Sequence, residues 1–481
     1  METGSGEVNF KIGEDLSMQT MMEDIIRGNA PMDRKEALAQ EISEWMSSPK
    51  RRAMLDGMRY YRGEHDILKR RRTVLGKDGK PVEIKNLPNH RVVDNQYAKM
   101  VAQKANYLLG RPLVFDTADN ELEQALTSVF DRRFLRLLRR IGEDALNCGV
   151  GWLYTYLDDR GGMCFVRLMP WEIIPFWSDE EQMRLELAIR VYETEEYFGK
   201  NKKKVQKAEI YTPEGIERYV LKQGRLFEDE DNPAKSPYII RMEKGQGPVS
   251  LGWGSVPLIP FRCNSASIPL ISKVKGLQDG LNEILSDFEN NMQEDARNTI
   301  LVLKNYDGVD LAEFRHNLAA FGAVKVKSVD GNPGGVESLR VNIDSENYRV
   351  ILDLLKKAIT ENSMGYDAKD QRLMGTPNQM NIQSMYSDID LDANGMETEF
   401  QAAFEELLGL ACRYFSSTGM GDFMPGDVKL VFNRDMLMNE SEVMDSLYKG
   451  GLRLSNETLV RQVPWVNDPA QEIERLRTDN T

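Results

Sequence analysis

Asp388-Ile389-Asp390-Leu391-Asp392-Ala393-Asn394-Gly395, with Glu399 in twelfth place, comes nearest to a chemistry-bearing pattern in this chain. Alternating carboxylates closed by a glutamate are the oxygen donors of an EF-hand calcium loop. The sixth place of such a loop needs glycine for its sharp turn, and here it is Ala393. Met385, Ile389, Met396, Phe400 and Phe404 also keep helical spacing straight through the stretch. The spacing therefore predicts a solvated acidic helix face with a kink at Gly395. A helical adaptor protein with an EF-hand-like calcium loop is the alternative.

Other candidates fail on spacing. Gly76-Lys77-Asp78-Gly79-Lys80 has the composition of a phosphate loop, but Pro81 follows where a Walker A loop places Ser or Thr on magnesium. Gly245-Gln246-Gly247 lacks the third glycine of a dinucleotide loop. Cys148, Cys164, Cys263 and Cys412 form no CxxC pair, and His65, His90 and His316 are too dispersed for a metal cluster. No catalytic residues, no metal and no cofactor are expected, and the chain reads as a non-enzyme. Two basic clusters remain: Lys69-Arg70-Arg71-Arg72, and Arg132-Arg133 with Arg136, Arg139 and Arg140. They read as solvated faces or contacts with acidic neighbours in an oligomer, ahead of contact with a DNA backbone.

The elements that must hold these residues are mixed. The 481 residues suggest roughly two to four domains. Lys+Arg 62 against Asp+Glu 76 gives a net charge of −14. Such a surface argues against tight coating of nucleic acid and suits a protein that lets a polyanion slide past. No apolar run approaches a membrane span, and Met1–Ala30 has no signal-peptide core, so a soluble cytosolic chain is expected.

Along the chain, Met1–Pro31 reads as an arm. Asp33 can cap a helix to Met46, and Ser48-Pro49 starts a second that ends at Gly63. Lys77–Lys80 is a hairpin turn, Asp94–Leu109 a helix closed by Gly110, and Leu122–Cys148 one or two helices. The period then changes. Trp152–Leu157 and Met163–Leu168 flank a turn at Asp159–Gly162, with further strands at Leu187–Glu193, Ala208–Thr212, Glu217–Leu221 and Pro257–Arg262. Lys200–Lys207 and Glu228–Asp231 read as solvated loops of opposite charge.

Two amphipathic helices then flank a small insert. The first carries Val274, Leu277, Leu281, Ile284, Leu285, Phe288 and Met292 on one face. The second carries Tyr348, Ile351, Leu352, Leu355 and Ile359, with Glu346, Asp353, Lys356, Lys357 and Glu361 facing out. Between them, Arg297–Ile343 reads as strand, helix (Leu311–Phe321) and two strands around Asp330–Gly335. Asp367–Asn378 is a polar loop, a long helix covers Ile382–Phe415, and a strand at Val428–Phe432 precedes helices opened by Asn439 and Ser455. A chain that leaves along one helix, builds a small module and returns along another makes a stalk with a head, which suggests an assembly.

Tyr60-Tyr61-Arg62-Gly63-Glu64-His65-Asp66-Ile67-Leu68, Asn89-His90-Arg91-Val92-Val93-Asp94-Asn95 and Tyr107-Leu108-Leu109-Gly110-Arg111-Pro112 resemble the N-terminal signature of portal proteins of tailed double-stranded DNA bacteriophages, of the long-tailed siphophage type. Val256-Pro257, Phe261-Arg262-Cys263-Asn264 and Leu285-Ser286-Asp287-Phe288 are similar too, as is the order of segments. The resemblance implies an α+β portal-protein fold. It would have a flexible N-terminal arm at 1–31, a helical and β-rich wing at 32–260, and stem helices at 261–296 and 344–366. A small α/β clip would lie at 297–343, a tunnel loop at 367–380, a long wing helix at 381–417 and a helical crown at 418–481. It further implies a dodecameric ring at one capsid vertex, a channel through which double-stranded DNA is packaged and ejected, and docking of the terminase packaging motor and head-completion or adaptor proteins. Major capsid and scaffolding proteins would be further partners, with the protein in the virion and, during assembly, in the host cytoplasm. Carried onto this sequence, Lys369, Gln371, Arg372 and Asn378 would face DNA from the tunnel loop. Glu346, Asp353, Lys356, Lys357 and Glu361 would line the stem channel, and Lys325, Lys327, Asp330 and Asn332 would belong to the clip docking loop. A packaging ATPase or nuclease would need a phosphate loop, which is absent, and a metal-binding carboxylate cluster, which is unsupported.

Overall fold

In the computed structural model, the described residues are 33–75, 79–83, 88–179, 181–198, 201–230, 232–243, 247–295, 300–304, 335–339, 345–367 and 379–434, with a few isolated positions beyond. The chain forms two compact units: one from residues up to Arg62, Tyr97–Lys273 and Thr360 onward, the other from Gly63–Gln96 and Val274–Ile359.

In chain order the elements begin with α1 (Arg34–Ser47) and α2 (Pro49–Tyr61). Strands β1 (Thr73–Leu75) and β2 (Pro81–Glu83), helix α3 (Gln96–Leu109) and strand β3 (Val114–Asp116) follow. Next are α4 (Asn120–Val129), α5 (Arg132–Cys148), β4 (Val150–Leu157), β5 (Met163–Leu168), β6 (Ile173–Trp177) and β7 (Leu185–Phe198). The β-rich stretch continues with β8 (Asn201–Tyr211), β9 (Gly215–Lys222), β10 (Arg225–Glu228), β11 (Lys235–Pro237), β12 (Ile239–Glu243), β13 (Gly247–Leu251) and β14 (Leu258–Arg262). The last part holds α6 (Ile271–Asp295), β15 (Ile300–Lys304), β16 (Gly335–Leu339), α7 (Ser345–Asn362), α8 (Gln379–Thr418) and β17 (Lys429–Val431). This is an α+β architecture.

The helix starts follow local chemistry. Ser48 Oγ accepts the Arg51 N–H, and Pro49 sits at the first helical position, where its missing N–H costs nothing. Asp119 and Asp131 cap α4 and α5 in the same way. Helix α5 ends at Gly149, whose φ of +87° is left-handed, and a Cβ there would stand 2.0 Å from Ser267 O. Only glycine can turn the chain at that point.

Apolar clusters in the first unit are built around its sheets. Strands β14, β4 and β5 form one antiparallel sheet and β10-β9-β8-β7-β6 another, with α1 and α2 packed over them through Leu38, Ile42 and Met54. Phe130, Phe134, Phe165 and Phe404 stack and edge against one another, and Phe261 meets Phe400 and Phe404. Asp144, buried on α5, takes a bidentate grip from Arg167. Burial nonetheless pushes its carboxyl up to about 6, against the pull of Arg167.

Three readings need correction. Lys200–Lys207 is not a solvated loop: Asn201–Tyr211 is strand β8, paired along its length with β7. The run of lysines lies across a run of glutamates, so Lys204 meets Glu193 at 2.6 Å, Lys207 meets Glu196 at 2.8 Å, and Lys202 pairs with Glu195. Glu228–Asp231 is not solvated throughout either, since Asp229 is buried and holds Lys207 at 3.1 Å. Val114–Asp116, read as no element, is the strand that pairs with β17.

Among the other readings, α8 runs a few residues beyond Ile382–Phe415 at each end. Residues 258–262 are strand β14, and helix α6 begins at Ile271. Strands β15 and β16 pair antiparallel, with Lys304 opposite Gly335. The helix expected at Leu311–Phe321, the arm Met1–Pro31 and the helices opened by Asn439 and Ser455 lie outside the described residues, apart from a few isolated positions.

Candidate functional site: helices α6 and α7 and the hold of α3 on Tyr366

The second unit is built on α6, whose buried face is more polar than the periodicity predicts. Val274 and Leu281 are buried, but Met292 is 55% exposed. Fully inside with Val274 and Leu281 are Gln278, Asn282, Ser286 and Asn290, four residues apart along one stripe. Each meets the main chain of the segment before α3. Asn290 Oδ1 accepts the His90 N–H at 2.7 Å, Ser286 Oγ accepts the Val92 N–H at 3.0 Å, and Asn282 Oδ1 accepts the Asp94 N–H at 3.1 Å. Gln278 Nε2 donates to Asp94 O at 2.8 Å, and Asn282 Nδ2 lies 2.7 Å from Nδ1 of buried His65. Two residues of extended chain span about 6.6 Å, and four residues of helix rise about 6 Å. Alternate N–H groups therefore keep step with every fourth side chain. Ion pairs flank the ladder: Arg70 with Asp287 at 2.5 Å, and Lys275 with Asp66 at 2.7 Å.

Helix α7 returns beside α6, and Tyr348 packs on Phe288 and takes a hydrogen bond from Asn291 at 3.1 Å. Ile359 is buried, as expected, but Ile351 is not, and Val350 and Leu354 are exposed with it, Leu354 at 60%. Glu346, Asp353, Lys357 and Glu361 are exposed on the same helix. Glu346 pairs with Arg349 at 2.6 Å. Lys356 is not simply turned out: its ammonium lies 2.8 Å from the Asp94 carboxylate.

Helix α7 closes in the first unit. There Gln103 on α3 holds both main-chain groups of Tyr366, at 2.9 and 3.0 Å. On the far side of residues 368–378, α8 packs Ile382, Met385, Tyr386 and Ile389 against Tyr107 of α3.

The acidic stretch Asp388–Glu399 lies inside α8, which overturns the calcium-loop alternative. Ile389, Ala393 and Met396 are buried at helical spacing, and the small Ala393 belongs to a packed face. Three of its carboxylates are already paired. Asp392 pairs with buried Lys104 at 2.5 Å, Tyr107 Oη donates to Asp390 at 3.0 Å, and Arg434 reaches Asp390, Asn394 and Glu397. Burial, then the bond to Asp390, pushes the Tyr107 phenol up to about 12. No group of carboxylates, histidines or cysteines that could hold a metal is found among the described residues. Among them, no helix is long and apolar enough to cross a membrane.

Five of the predicted site residues fall among the described residues. Glu346, Asp353, Lys356, Lys357 and Glu361 share α7. Lys369, Gln371, Arg372 and Asn378, and Lys325, Lys327, Asp330 and Asn332, lie outside the described residues. Sequence reasoning missed the polar stripe of α6 and the grip of α3. A four-residue repeat of amides and hydroxyls at 278, 282, 286 and 290 was the available signal for the first.

A family model described as phage portal protein, SPP1 Gp6-like, matches residues 49–481. The portal protein of Bacillus phage SPP1 is 28% identical over 429 residues, covering 89% of this chain and 83% of the other. That of Clostridium phage phiCD119 is 27% identical over 439 residues, covering 89% and 92%. Among solved structures, a chain from the virion of a native gene transfer agent particle aligns over 76% of this chain and 88% of its own, at 11% identity and a TM-score of 0.42.

Proposed function

Because the chain belongs to the SPP1 Gp6-like family of phage portal proteins, we propose that twelve copies close into a ring at one capsid vertex and that double-stranded DNA enters and leaves through the central channel. One structural observation carries the ring: the open side of α7. Val350, Ile351 and Leu354 lie bare among carboxylates and lysines on a helix otherwise packed on α6. A lone subunit gains nothing from that exposure, whereas a neighbouring copy can bury it.

The charged residues of the same helix suit the channel. Glu346, Asp353, Lys357 and Glu361 repeat around a ring as alternating belts of charge. Asp94 neutralises much of what Lys356 offers a phosphate. With each copy carrying −14, the walls repel the duplex on balance and do not trap it. Lys369, Gln371, Arg372 and Asn378 meet DNA at the narrowest point, through contacts that are sequence-independent and weakened by salt. The segment bearing Lys325, Lys327, Asp330 and Asn332 docks the terminase motor and later the head-completion proteins. Capsid and scaffolding proteins surround the ring in the virion, after assembly in the host cytoplasm. The chain has no catalytic role of its own.

Native mass spectrometry tests the ring: closed oligomers without nucleotide are expected, and monomer alone across salt and concentration overturns the proposal. Lys369→Ala with Arg372→Ala tests the channel: rings should assemble while packaged DNA length or rate changes. Wild-type packaging by the double variant would make that segment a passive spacer.

A further inference from the structure

Helix α5 carries Arg132, Arg133, Arg136, Arg139 and Arg140 on one exposed face. Local physics works against such a face. Arg132, Arg136 and Arg140 follow at four-residue steps, where like charges repel along a helix. Arg132 and Arg133 also stand in the first turn, where the helix dipole favours anions. Glu143 relieves part of this by reaching Arg139 at 3.7 Å. Beside the face lies a dent of about 200 Å³. Buried Leu109, Leu113 and Leu138 line it together with exposed Arg111, Arg136 and Arg139.

Helix α8 presents the complement. Leu391, two residues from buried Ile389 and two from buried Ala393, is 63% exposed. Asp388, one turn earlier, is exposed beside it, and exposed Glu405 continues the same outer face. An apolar knob thus stands among carboxylates, as an apolar dent stands among guanidinium groups.

The two faces look in opposite directions. Within the subunit α5 and α8 pack on each other: Phe134 meets Phe404 edge-on, and a Cβ on Gly142 would lie 3.8 Å from Met396 Cε. Arg136 is two residues from buried Phe134 and Leu138, and Leu391 stands on the side of α8 away from buried Met396. One subunit therefore cannot bring its own knob to its own dent, whereas successive copies can, head to tail.

We propose that Leu391 of one copy enters the dent between Arg111, Arg136 and Arg139 of the next, with Asp388 against the arginine face. This rests on the ring reading and names one of the ring's contacts. The contact is heterologous, as ring closure requires, and its charges set the register of the two copies. A DNA backbone would satisfy the arginines, but it has no apolar group to fill the dent.

The test uses the full-length chain. By native mass spectrometry, Leu391→Asp and Arg136→Glu should each raise the protein concentration for half-assembly by about tenfold or more. Their circular dichroism should stay that of wild type, because both side chains are exposed. Under oxidation, Leu391→Cys/Arg136→Cys should give a ladder of cross-linked oligomers, and an equal mixture of the two single variants should stop at the dimer. Rings that keep the wild-type midpoint in both charge variants, or rings of the double-cysteine variant that give no ladder, overturn the contact and leave the ring standing. A wild-type chain that stays monomeric overturns the ring and the contact together. Rings intact in Arg136→Glu, with duplex DNA bound more weakly than by wild type, would make the arginine face a nucleic-acid site and overturn the contact as well. Where a variant of one arm fails to fold, the other arm decides.

Discussion

Helix α8 buries Met385, Ile389, Met396, Phe400 and Phe404, whereas α6 buries Gln278, Asn282, Ser286 and Asn290 where it meets the segment before α3. Both stripes have the period of a helix, yet they hold their partners by different physics. Apolar packing on α8 is non-directional and scales with the area removed from water. The stripe on α6 works only when each N–H meets its acceptor, because an orphaned buried donor costs more than a made bond returns. The first makes a thick, tolerant core. The second fixes the register of one chain segment on one helix.

The sharpest break of this contrast is at Phe404, whose ring meets Phe115, Phe134, Phe261 and Phe432. Phe404→Ala should cost about 3–5 kcal/mol, read by urea unfolding. A loss well below that range would show that the aromatic layer closes over the gap.

Asn282→Leu keeps the volume of the ladder's centre and removes its bonds to Asp94 and His65. A loss of about 2–4 kcal/mol is expected, with faster hydrogen exchange at 90–94. A variant as stable as wild type would mean that α6 could have been apolar after all.

Asp144 sharpens the comparison from the acid side, as a polar group inside the apolar unit. Its carboxyl titrates at about 6, above the usual carboxylate range, so the folded chain holds a proton that the unfolded chain has lost. Its contribution is fully present below about pH 4 and is lost as pH rises through about 6. The stability of wild type relative to Asp144→Asn should therefore fall by about 2 kcal/mol between pH 4 and 7. A flat difference would show that Arg167 keeps Asp144 ionised throughout.

Ser286→Ala removes a single rung, the acceptor of the Val92 N–H, and should cost about 1 kcal/mol. As much loss as in Asn282→Leu would mean that the rungs fail together. The smallest effect belongs to α8: millimolar calcium should leave Tm unchanged, because Lys104, Tyr107 and Arg434 already occupy the acidic stretch. A clear rise in Tm that Asp390→Ala abolishes would contradict this.

Residue by residue, what could be read from sequence was what local chemistry decides. Ser48-Pro49 announced α2, Gly110 the end of α3, and the turn at Asp159–Gly162 its hairpin. Ala393 and the helical spacing already favoured a helix over a calcium loop, and the stretch lies inside α8. The misreadings share one cause, a partner far away in the chain. Lys202–Lys207 looks solvated until Glu193–Glu196 is set across from it. The apolar residues of α6 outweigh its amides until residues 90–94 arrive with N–H groups to satisfy. At the candidate site, the charges of α7 were legible as an exposed set, while the attachment of Lys356 to Asp94 was not. The hold of Gln103 was invisible, since both its bonds go to main-chain groups of Tyr366.

Strand β17 pairs with β3, joining Val431 to Val114 and Lys429 to Asp116. During synthesis the ribosome releases β3 long before its partner, and at about 5–20 residues per second the wait is on the order of a minute or less. Throughout that interval β3 is an open edge, with its hydrogen-bonding groups available to any passing strand. The first unit is also interrupted in sequence by the second, so it cannot finish before α8 and β17 have emerged. A nascent copy is therefore least fit to meet its sisters at the moment when polysomes crowd them together. Premature pairing at Val114–Asp116 would join subunits strand to strand, in a geometry unrelated to any ring.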